Sequence, residues 1–151
     1  MSLAMTKDER EAFLAGVHVG VISIPEPGRG PLTSPVWYDY EPGGELWVVT
    51  DRVSRKGRLL AVGTRLSLCA QSETPPYQYV SIEGPVVAIE PADRERHLRP
   101  MARRYLGEAL GDRYVEATSG DREAGESIVV RVRPERWLTV DYRKQFADLA
   151  G

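Results

Sequence analysis

The stretch that decides the fold spans residues 32–50 and reads LTSPVWYDYEPGGELWVVT. Both of its ends are rich in β-branched and aromatic residues, which favour strands, and Pro42-Gly43-Gly44 between them is typical of a tight turn. The pattern predicts one strand at residues 32–41, despite Pro35, and a second at residues 45–50. The two strands should pair as an antiparallel hairpin.

More strands are predicted on both sides of this hairpin. Residues 17–24 read VHVGVISI, a near-alternation of β-branched residues, and the Pro/Gly turn PEPGRGP that follows predicts a hairpin with the strand at 32–41. Further strands are predicted at residues 66–71, 77–90 and 127–141, the last range holding one or two. Within the long strand at 77–90, Gly84-Pro85 predicts a bulge or bend.

Helices are expected in three places. The capping pattern TKDE predicts a short amphipathic helix at residues 6–16. Residues 51–62 form a charged loop that runs into a short helix, because their leucines and valine fall at helical spacing. Residues 92–118 have a helical pattern that is interrupted at Pro100 and at Leu110-Gly111.

These patterns together predict a mainly β protein with α-helical insertions. Six or seven short strands with few helices favour an antiparallel barrel over a parallel α/β sheet. The interior of a small barrel is filled by side chains, so a ligand should bind on the outside or at a subunit interface. We therefore expect a homodimer whose ligand site lies between the subunits.

The composition limits the class of protein. The chain has 151 residues with 42% hydrophobic content, which suits one domain at residues 6–151 preceded by a tag or disordered stretch at residues 1–5. A net charge of −2 gives no field that would attract nucleic acid or an anionic membrane, and no apolar stretch is long enough to span a bilayer. We expect a cytoplasmic protein. Cys69, the single cysteine, excludes an internal disulfide and is expected to be a buried core residue.

One segment has the composition of an anion site. Residues 50–58 read TDRVSRKGR, where a strand ends and a helix begins with a serine, a lysine and three arginines. Hydroxyls and backbone N–H groups near a helix start donate to anionic oxygens, Lys56 adds a point charge, and Arg58 can fork onto a phosphate. A solvated basic loop without a ligand has the same composition, so these residues alone leave both readings open.

The order of the segments resembles a known superfamily. The chain carries PVWY at 35–38, a strand ending at Thr50, SRKGRLL at 54–60 and YVSIEG at 79–84, in the order of the pyridoxamine 5'-phosphate oxidase-like split-barrel proteins. The resemblance covers roughly residues 10–142 and rests on order and spacing. It implies an antiparallel, Greek-key split β-barrel of the FMN-binding type that forms a homodimer.

The resemblance also implies which residues bind the cofactor. A serine, a lysine and an arginine of the basic segment would bind the phosphate. Thr50 and the backbone of residues 36–38 would contact the flavin ring. The residues so implied are Val36, Trp37, Tyr38, Thr50, Arg52, Ser54, Arg55, Lys56, Arg58, Tyr77 and Tyr79. Tyr79 is also the candidate for delivering a proton to the substrate. Packing in the core or an interface explains Trp37 equally well, and the two tyrosines also suit ordinary strand positions.

The deazaflavin coenzyme F-420 is the cofactor that this resemblance favours. FMN-binding members often carry an arginine early in the second strand, whereas this chain has Thr33, Ser34 and Pro35 there. Arg52 and Arg55 would suit the acidic tail of F-420. The implied activity is hydride transfer from the reduced deazaflavin to an unsaturated small-molecule substrate. An FMN-dependent oxidoreductase, a non-catalytic carrier of flavin, deazaflavin or haem, and a barrel with a decayed site are the alternatives.

Other kinds of site find little support in the sequence. His18 and His97 are too far apart in sequence to suggest a local metal motif, and we expect no metal. No serine lies in a G-x-S-x-G elbow, and the G-x-G-x-x-G pattern of dinucleotide-binding domains is absent.

Overall fold

The computed structural model describes residues 2–118 and 126–150. Its strands are β1 (Gly20–Ile24), β2 (Leu32–Val36), β3 (Tyr38–Tyr40), β4 (Leu46–Asp51), β5 (Arg65–Gln71), β6 (Gln78–Pro91), β7 (Ser127–Val132) and β8 (Arg136–Asp141). Its helices are α1 (Lys7–Ala15), α2 (Arg55–Leu59), α3 (Arg99–Leu106), α4 (Glu108–Thr118) and α5 (Arg143–Ala150), with a π-helical turn at Arg94–Leu98 leading into α3. The mainly β composition with α-helical insertions is as predicted.

The strands form one antiparallel sheet that curls into a split barrel. Its order is β2-β1-β5-β6-β7-β4-β3, and β8 pairs with β6 outside this path. The first half of β6 pairs with β5 and β8, while its second half pairs with β7. A register shift between Val86 and Ala88 separates the halves, just after the predicted bend at Gly84-Pro85. A bulge increases the local twist, which lets β6 belong to both halves of the barrel.

The interior of the barrel is filled. Alternate residues of most strands face the core, as the period of two requires, whereas β7 is buried at four successive residues, 127–130. Leu14 of α1 is fully buried in the same core. Tyr38 is also fully buried, and its hydroxyl donates a hydrogen bond to the Leu14 carbonyl at 2.7 Å. This packing agrees with the expectation that a ligand has to bind outside the barrel interior.

The first helix follows the sequence prediction closely, whereas the third helical region does not. Thr6 caps α1 in a reciprocal capping box with Glu9. The predicted interruptions at Pro100 and Leu110-Gly111 are wrong. Pro100 lies in the first turn of α3, where its missing N–H costs nothing. The break falls at Gly107, whose φ of 82° suits glycine, and Gly111 lies inside α4 against the α3 backbone.

Three further predictions need correction. The strand at residues 32–41 is two strands, β2 and β3, interrupted at Trp37. Cys69 is half-buried on the outer face of β5, since its neighbours Leu68 and Ala70 take the inward positions. The sequence analysis had no helix after residue 141, where the structure has α5.

Candidate functional site

A serine begins the short helix after β4. Ser54 is the N-cap of α2: its Oγ accepts a hydrogen bond from the Gly57 amide at 3.1 Å and donates to the Asp51 carbonyl at 2.6 Å. The hydroxyl of Thr50, a buried residue at the end of β4, lies 3.3 Å from the same oxygen. Because Ser54 already donates to Asp51, the hydrogen between the two hydroxyls belongs to Thr50.

The turn is tight enough that α2 lies directly on the end of β4. Gly57 is buried, and a Cβ there would overlap the carbonyl oxygens of Asp51 and Arg52. Only glycine fits such a close approach of two backbone segments. The sequence SRKGR therefore fixes the hydroxyl of Ser54 and the side chain of Lys56 at the end of a core strand.

Lys56 reaches from α2 to the second strand. Its Nζ donates a hydrogen bond to Ser34 Oγ over 3.1 Å. Ser34 lies opposite Ile22 in the β1–β2 register, so its side chain is on the inner face of β2. The sequence analysis had counted Ser34 only as a departure from the FMN pattern; its role as a partner of Lys56 depends on the register and was not visible in the motif.

The hydrogen bond of Lys56 spans a gap in the ring of strands. The β3–β4 register pairs Tyr38 with Val48, and its continuation would place Val36 opposite Thr50. In the described ranges that pairing does not form, because β2 pairs with β1 and only β3 stays on β4. The facing edges of β2 and β4 therefore leave backbone groups without a partner strand beside the Thr50–Ser54–Lys56 cluster. We call this opening the β2–β4 groove.

Three arginines lie in α2 or just before it. Arg55 is exposed and forms an ion pair with Glu26, which holds the pKa of that carboxyl below its usual range. Arg58 is exposed, and within residues 2–118 and 126–150 it has no carboxylate partner. Arg52 is exposed as well, and its amide donates to the Glu126 carbonyl at 2.6 Å. This segment is basic, although Glu26 offsets part of its charge.

Trp37 and Tyr38 lie where β2 passes into β3. The Trp37 ring stacks on Tyr105 of α3, with centroids 5.0 Å apart and an angle of 5° between the planes, and the Tyr114 ring lies 5.7 Å away. The Tyr38 side chain is in the core, where burial is the main cause that raises the pKa of its hydroxyl. Its amide donates to the Tyr105 hydroxyl at 3.0 Å. The backbone of Tyr38 is thus already bonded, whereas Val36 borders the groove directly.

Two predicted site residues lie away from this cluster within one chain. Tyr79 is on β6, paired with Gln71 and Val140, and Tyr77 immediately precedes that strand. In the sheet order β6 is three strands from β2, which corresponds to about 14 Å. Tyr79 alternates with the inward-facing Val80, so its side chain is on the outer face. The structure therefore does not bring the two tyrosines to the β2–β4 groove within a single chain.

A shallow cavity of about 430 Å³ lies on the outer face of the β3–β4 hairpin. Three carboxylates and one arginine surround the Trp47 ring there; the lining residues are Asp39, Glu41, Gly44, Glu45, Trp47 and Arg131. Its carboxylates would repel a phosphate, so this cavity does not match the anion chemistry of the basic segment. The two surfaces are distinct.

The two histidines have structural partners. The ring of His18 stacks on Phe13, and its Nε2 lies 3.0 Å from the Phe13 carbonyl oxygen. His97 is buried, its Nδ1 accepts from the Asp93 amide at 2.8 Å, and burial is the largest cause that lowers its pKa. Among the described residues no group of three or more histidine, cysteine or acidic side chains is suited to hold a metal ion. In the same ranges no helix has both the length and the apolar character that crossing a membrane requires.

Comparison with known proteins identifies the family. The family model described as pyridoxamine 5'-phosphate oxidase matches residues 6–141. No protein in the curated comparison set matches the chain. A solved F-420 reductase is 17% identical, with a TM-score of 0.64 over 85% of this chain and 94% of that one. A conserved hypothetical protein from Mycobacterium tuberculosis is 22% identical, with a TM-score of 0.68 over 95% and 89%. An FAD- and haem-binding protein from Mycobacterium smegmatis is 13% identical, with a TM-score of 0.58 over 90% and 71%.

These likenesses in structure extend over most of the barrel, and the family model covers nearly the whole of it. The chain belongs to the pyridoxamine 5'-phosphate oxidase family.

Proposed function

We propose that this protein is an oxidoreductase that binds coenzyme F-420 in the β2–β4 groove. The observation that carries the proposal is the hydrogen bond from the ammonium group of Lys56 to Ser34 Oγ across the β2–β4 groove, on the short helix that Ser54 caps. Ser34 accepts only one of the N–H groups of Lys56, and an ammonium group with further N–H donors suits the phosphate of a flavin-type cofactor. The family match and the similarity to an F-420 reductase support the same assignment.

The groove also suits the ring of such a cofactor. Edge strands present N–H and C=O groups that a planar heterocycle with donors and acceptors along its rim can satisfy. The edge of β2 at Val36 lies two residues from Ser34, so phosphate and ring would lie along one strand. The hydrophobic body of Val36 packs against the core and gives the ring an apolar floor.

The chain's own residues would bind and orient the reactants. A reduced deazaflavin supplies the hydride, and this chemistry needs few catalytic side chains. That agrees with the neutral, structurally engaged histidines and with the lack of an acid–base pair among the groove residues. The arginines at positions 52, 55 and 58 would bind the acidic tail of F-420 at the groove entrance.

We also propose that the protein works as a homodimer. The tryptophans give this proposal no support, because Trp37, Trp47 and Trp137 all pack against residues of their own chain. A better argument is the outer face of β2, β1, β5, β6 and β8. One uncharged row crosses all five strands in register: Pro35, Val21, Cys69, Ser81 and Leu138. In this row Val21 is 44% and Leu138 63% exposed.

Burial of this row by a second copy would remove exposed apolar area, which drives association. Tyr79 belongs to the same outer face, on the strand that carries Ser81. With a second copy on this face, Tyr77 and Tyr79 would approach the β2–β4 groove of the partner subunit. They do not lie near the groove of their own chain. The candidate role of Tyr79 as a proton donor depends on that arrangement.

Two other functions use the same groove. An FMN-dependent oxidoreductase would need the phosphate cluster but not the extra arginines. A carrier that holds its ligand without turnover is suggested by the structural similarity to an FAD- and haem-binding protein. A barrel whose site has decayed would bind neither cofactor.

Cofactor titration followed by turnover tests the proposal. Purified protein is titrated with F-420 and with FMN, and the absorbance of reduced F-420 is then followed with a panel of enone acceptors. Tighter F-420 binding with protein-dependent acceptor reduction supports the proposal. Tighter FMN binding supports the FMN enzyme, tight F-420 binding without acceptor consumption supports the carrier, and binding of neither supports the decayed site.

A further inference from the structure

The hydroxyl of Tyr105 lies where the backbone of β2 passes into β3. It accepts a hydrogen bond from the Tyr38 amide at 3.0 Å. Its own hydrogen has two carbonyl oxygens in reach, that of His18 at 2.6 Å and that of Tyr38 at 3.1 Å. A single hydroxyl therefore joins the segment before β1 to the crossing between β2 and β3.

Arg104, the preceding residue on α3, holds the same crossing from a second side. Its Nε donates to the Tyr38 carbonyl at 3.1 Å, and its Nη2 donates to the Gly16 carbonyl at 2.8 Å. It also forms an ion pair with Asp39 at 3.3 Å and a hydrogen bond to the Ala15 carbonyl at 3.1 Å, and its side chain is only 17% exposed. Neighbouring residues of one helix thus bind backbone atoms of Tyr38, at the start of β3, and of the segment before β1.

The helix that carries these two residues is itself braced. Asp112 of α4 accepts hydrogen bonds from Arg99 and Arg103 of α3, each at 2.8 Å. These contacts hold the pKa of the Asp112 carboxyl at about 2, so it stays ionised at neutral pH. A site residue is placed most accurately when a rigid element supports it.

The crossing borders the ring end of the β2–β4 groove. Trp37 lies three residues beyond Ser34, or about 10 Å along an extended chain. That length is comparable to the chain that separates the phosphate from the ring in a flavin. Lys56 therefore marks the phosphate end of the groove, and the backbone fixed by Tyr105 marks its ring end.

We infer that Tyr105 is a positioning residue for the ring of the bound cofactor, acting through the backbone of Trp37 and Tyr38. The inference rests on the proposed function, since it concerns the same groove. Without the hydroxyl, the edge of β2 at the ring end would lose its fixed position, while the phosphate cluster on α2 would keep its own hydrogen bonds. Loss of the Tyr105 hydroxyl should therefore weaken the binding of the ring and leave the binding of phosphate unchanged.

The test compares Tyr105→Phe with Tyr114→Phe. Both tyrosines contact Trp37, but only Tyr105 bonds the crossing through its hydroxyl, so Tyr114→Phe is a matched control. Calorimetric titration with riboflavin and deazariboflavin, which lack the phosphate, measures ring affinity, and titration with inorganic phosphate measures the other end. Amide hydrogen exchange at Tyr38 reports whether the hydrogen bond from its amide to the Tyr105 hydroxyl has been lost.

We expect Tyr105→Phe to speed exchange at Tyr38 and to weaken the binding of the phosphate-free rings by about 3- to 10-fold, the effect of one lost hydrogen bond. Phosphate affinity should stay unchanged, and Tyr114→Phe should match the parent protein in all assays. Faster exchange with unchanged ring affinity overturns the inference, since the Tyr105 hydroxyl then stabilises the backbone without affecting the binding of the ring. If the parent protein binds neither flavin nor deazaflavin in any form, the proposed function fails and the inference with it.

Discussion

The ammonium nitrogen of Lys56 lies 3.1 Å from the hydroxyl oxygen of Ser34, across the β2–β4 groove. One hydroxyl uses one of its three N–H donors, and within the described ranges no carboxylate lies close enough to neutralise it. A half-buried cation with donors to spare is a strong attractor for an anion. This relationship supports the proposal that the segment binds an anion.

Replacement of Lys56 by alanine should weaken FMN and F-420 binding without unfolding the protein. A charge-assisted contact to a phosphate is worth about 1.5–3 kcal/mol, or roughly 10- to 150-fold in affinity. Fluorescence titration of the cofactors measures the loss, and thermal unfolding checks stability. Lys7→Ala, on the exposed face of α1, is the control for a change in net charge. Equal loss in both variants would place the phosphate elsewhere.

A negative charge introduced at Ser54 distinguishes a role in capping the helix from a role in binding an anion. Asparagine and aspartate are both good N-caps, so Ser54→Asn and Ser54→Asp should differ little in the free energy of unfolding, by about 0.5 kcal/mol or less. The carboxylate alone would repel a phosphate, and we expect it to lower FMN affinity by roughly tenfold or more relative to the amide. Chemical denaturation and cofactor titration give the two quantities. Similar affinities in both variants would remove Ser54 from the phosphate site.

Gly57 controls how closely α2 lies on β4. Because a Cβ at this position would overlap the carbonyl oxygens of Asp51 and Arg52, Gly57→Ala should destabilise the fold by about 1–3 kcal/mol and displace the phosphate cluster. Gly30→Ala is the matched control, since nothing lies within 4 Å of a Cβ there. Denaturant unfolding compares the two. An unchanged free energy of unfolding in Gly57→Ala would mean that the α2 turn can move without cost.

Local signals in the sequence predicted most of the strands and the first helix. The capping box of Thr6 with Glu9 acts within three residues, so it can be recognised from the sequence alone. The end of α3 was misplaced for a different reason. Gly107 and Gly111 look equivalent in sequence, and only the packing of α4 against α3 decides which of them breaks the helix.

The candidate site likewise has one part that local sequence predicts and another that depends on contacts between distant residues. Thr50 and Ser54 are four residues apart, so their motif is local, and the structure brings their hydroxyls to 3.3 Å from each other. Ser34 reaches Lys56 only through the strand register, and Arg104 and Tyr105 reach Tyr38 only through α3. These contacts join residues far apart in sequence, so no local motif predicts them. The break of β2 and β3 at Trp37 is equally non-local, because hydrogen bonds from α3 replace those of a continuous ladder.

A charge at the β8 end of the uncharged row on the outer sheet face should prevent dimerisation. Leu138 is 63% exposed in the chain and would be buried by a second copy, so Leu138→Glu would place a carboxylate in an apolar interface. We expect a dimer for the parent protein and a monomer for the variant in sedimentation velocity. Leu110→Glu, at a 48% exposed position on α4, is the control. A monomeric parent protein that binds its cofactor with full affinity would refute the dimer.

Salt should weaken F-420 binding more steeply than FMN binding. The groove needs one cation for a phosphomonoester, whereas the arginines at positions 52, 55 and 58 provide further charge that only a polyanionic tail would use. Screening reduces every such contact, so the ligand that neutralises more charge loses more affinity as ionic strength rises. Titrations of both cofactors at about 0.05 and 0.5 M salt give the two slopes. Arg58→Ala should flatten the F-420 slope and leave the FMN slope nearly unchanged, because Arg58 is exposed on α2 and would contact only the tail. Parallel slopes for the two cofactors in the parent protein would mean that the arginines do not contact the tail.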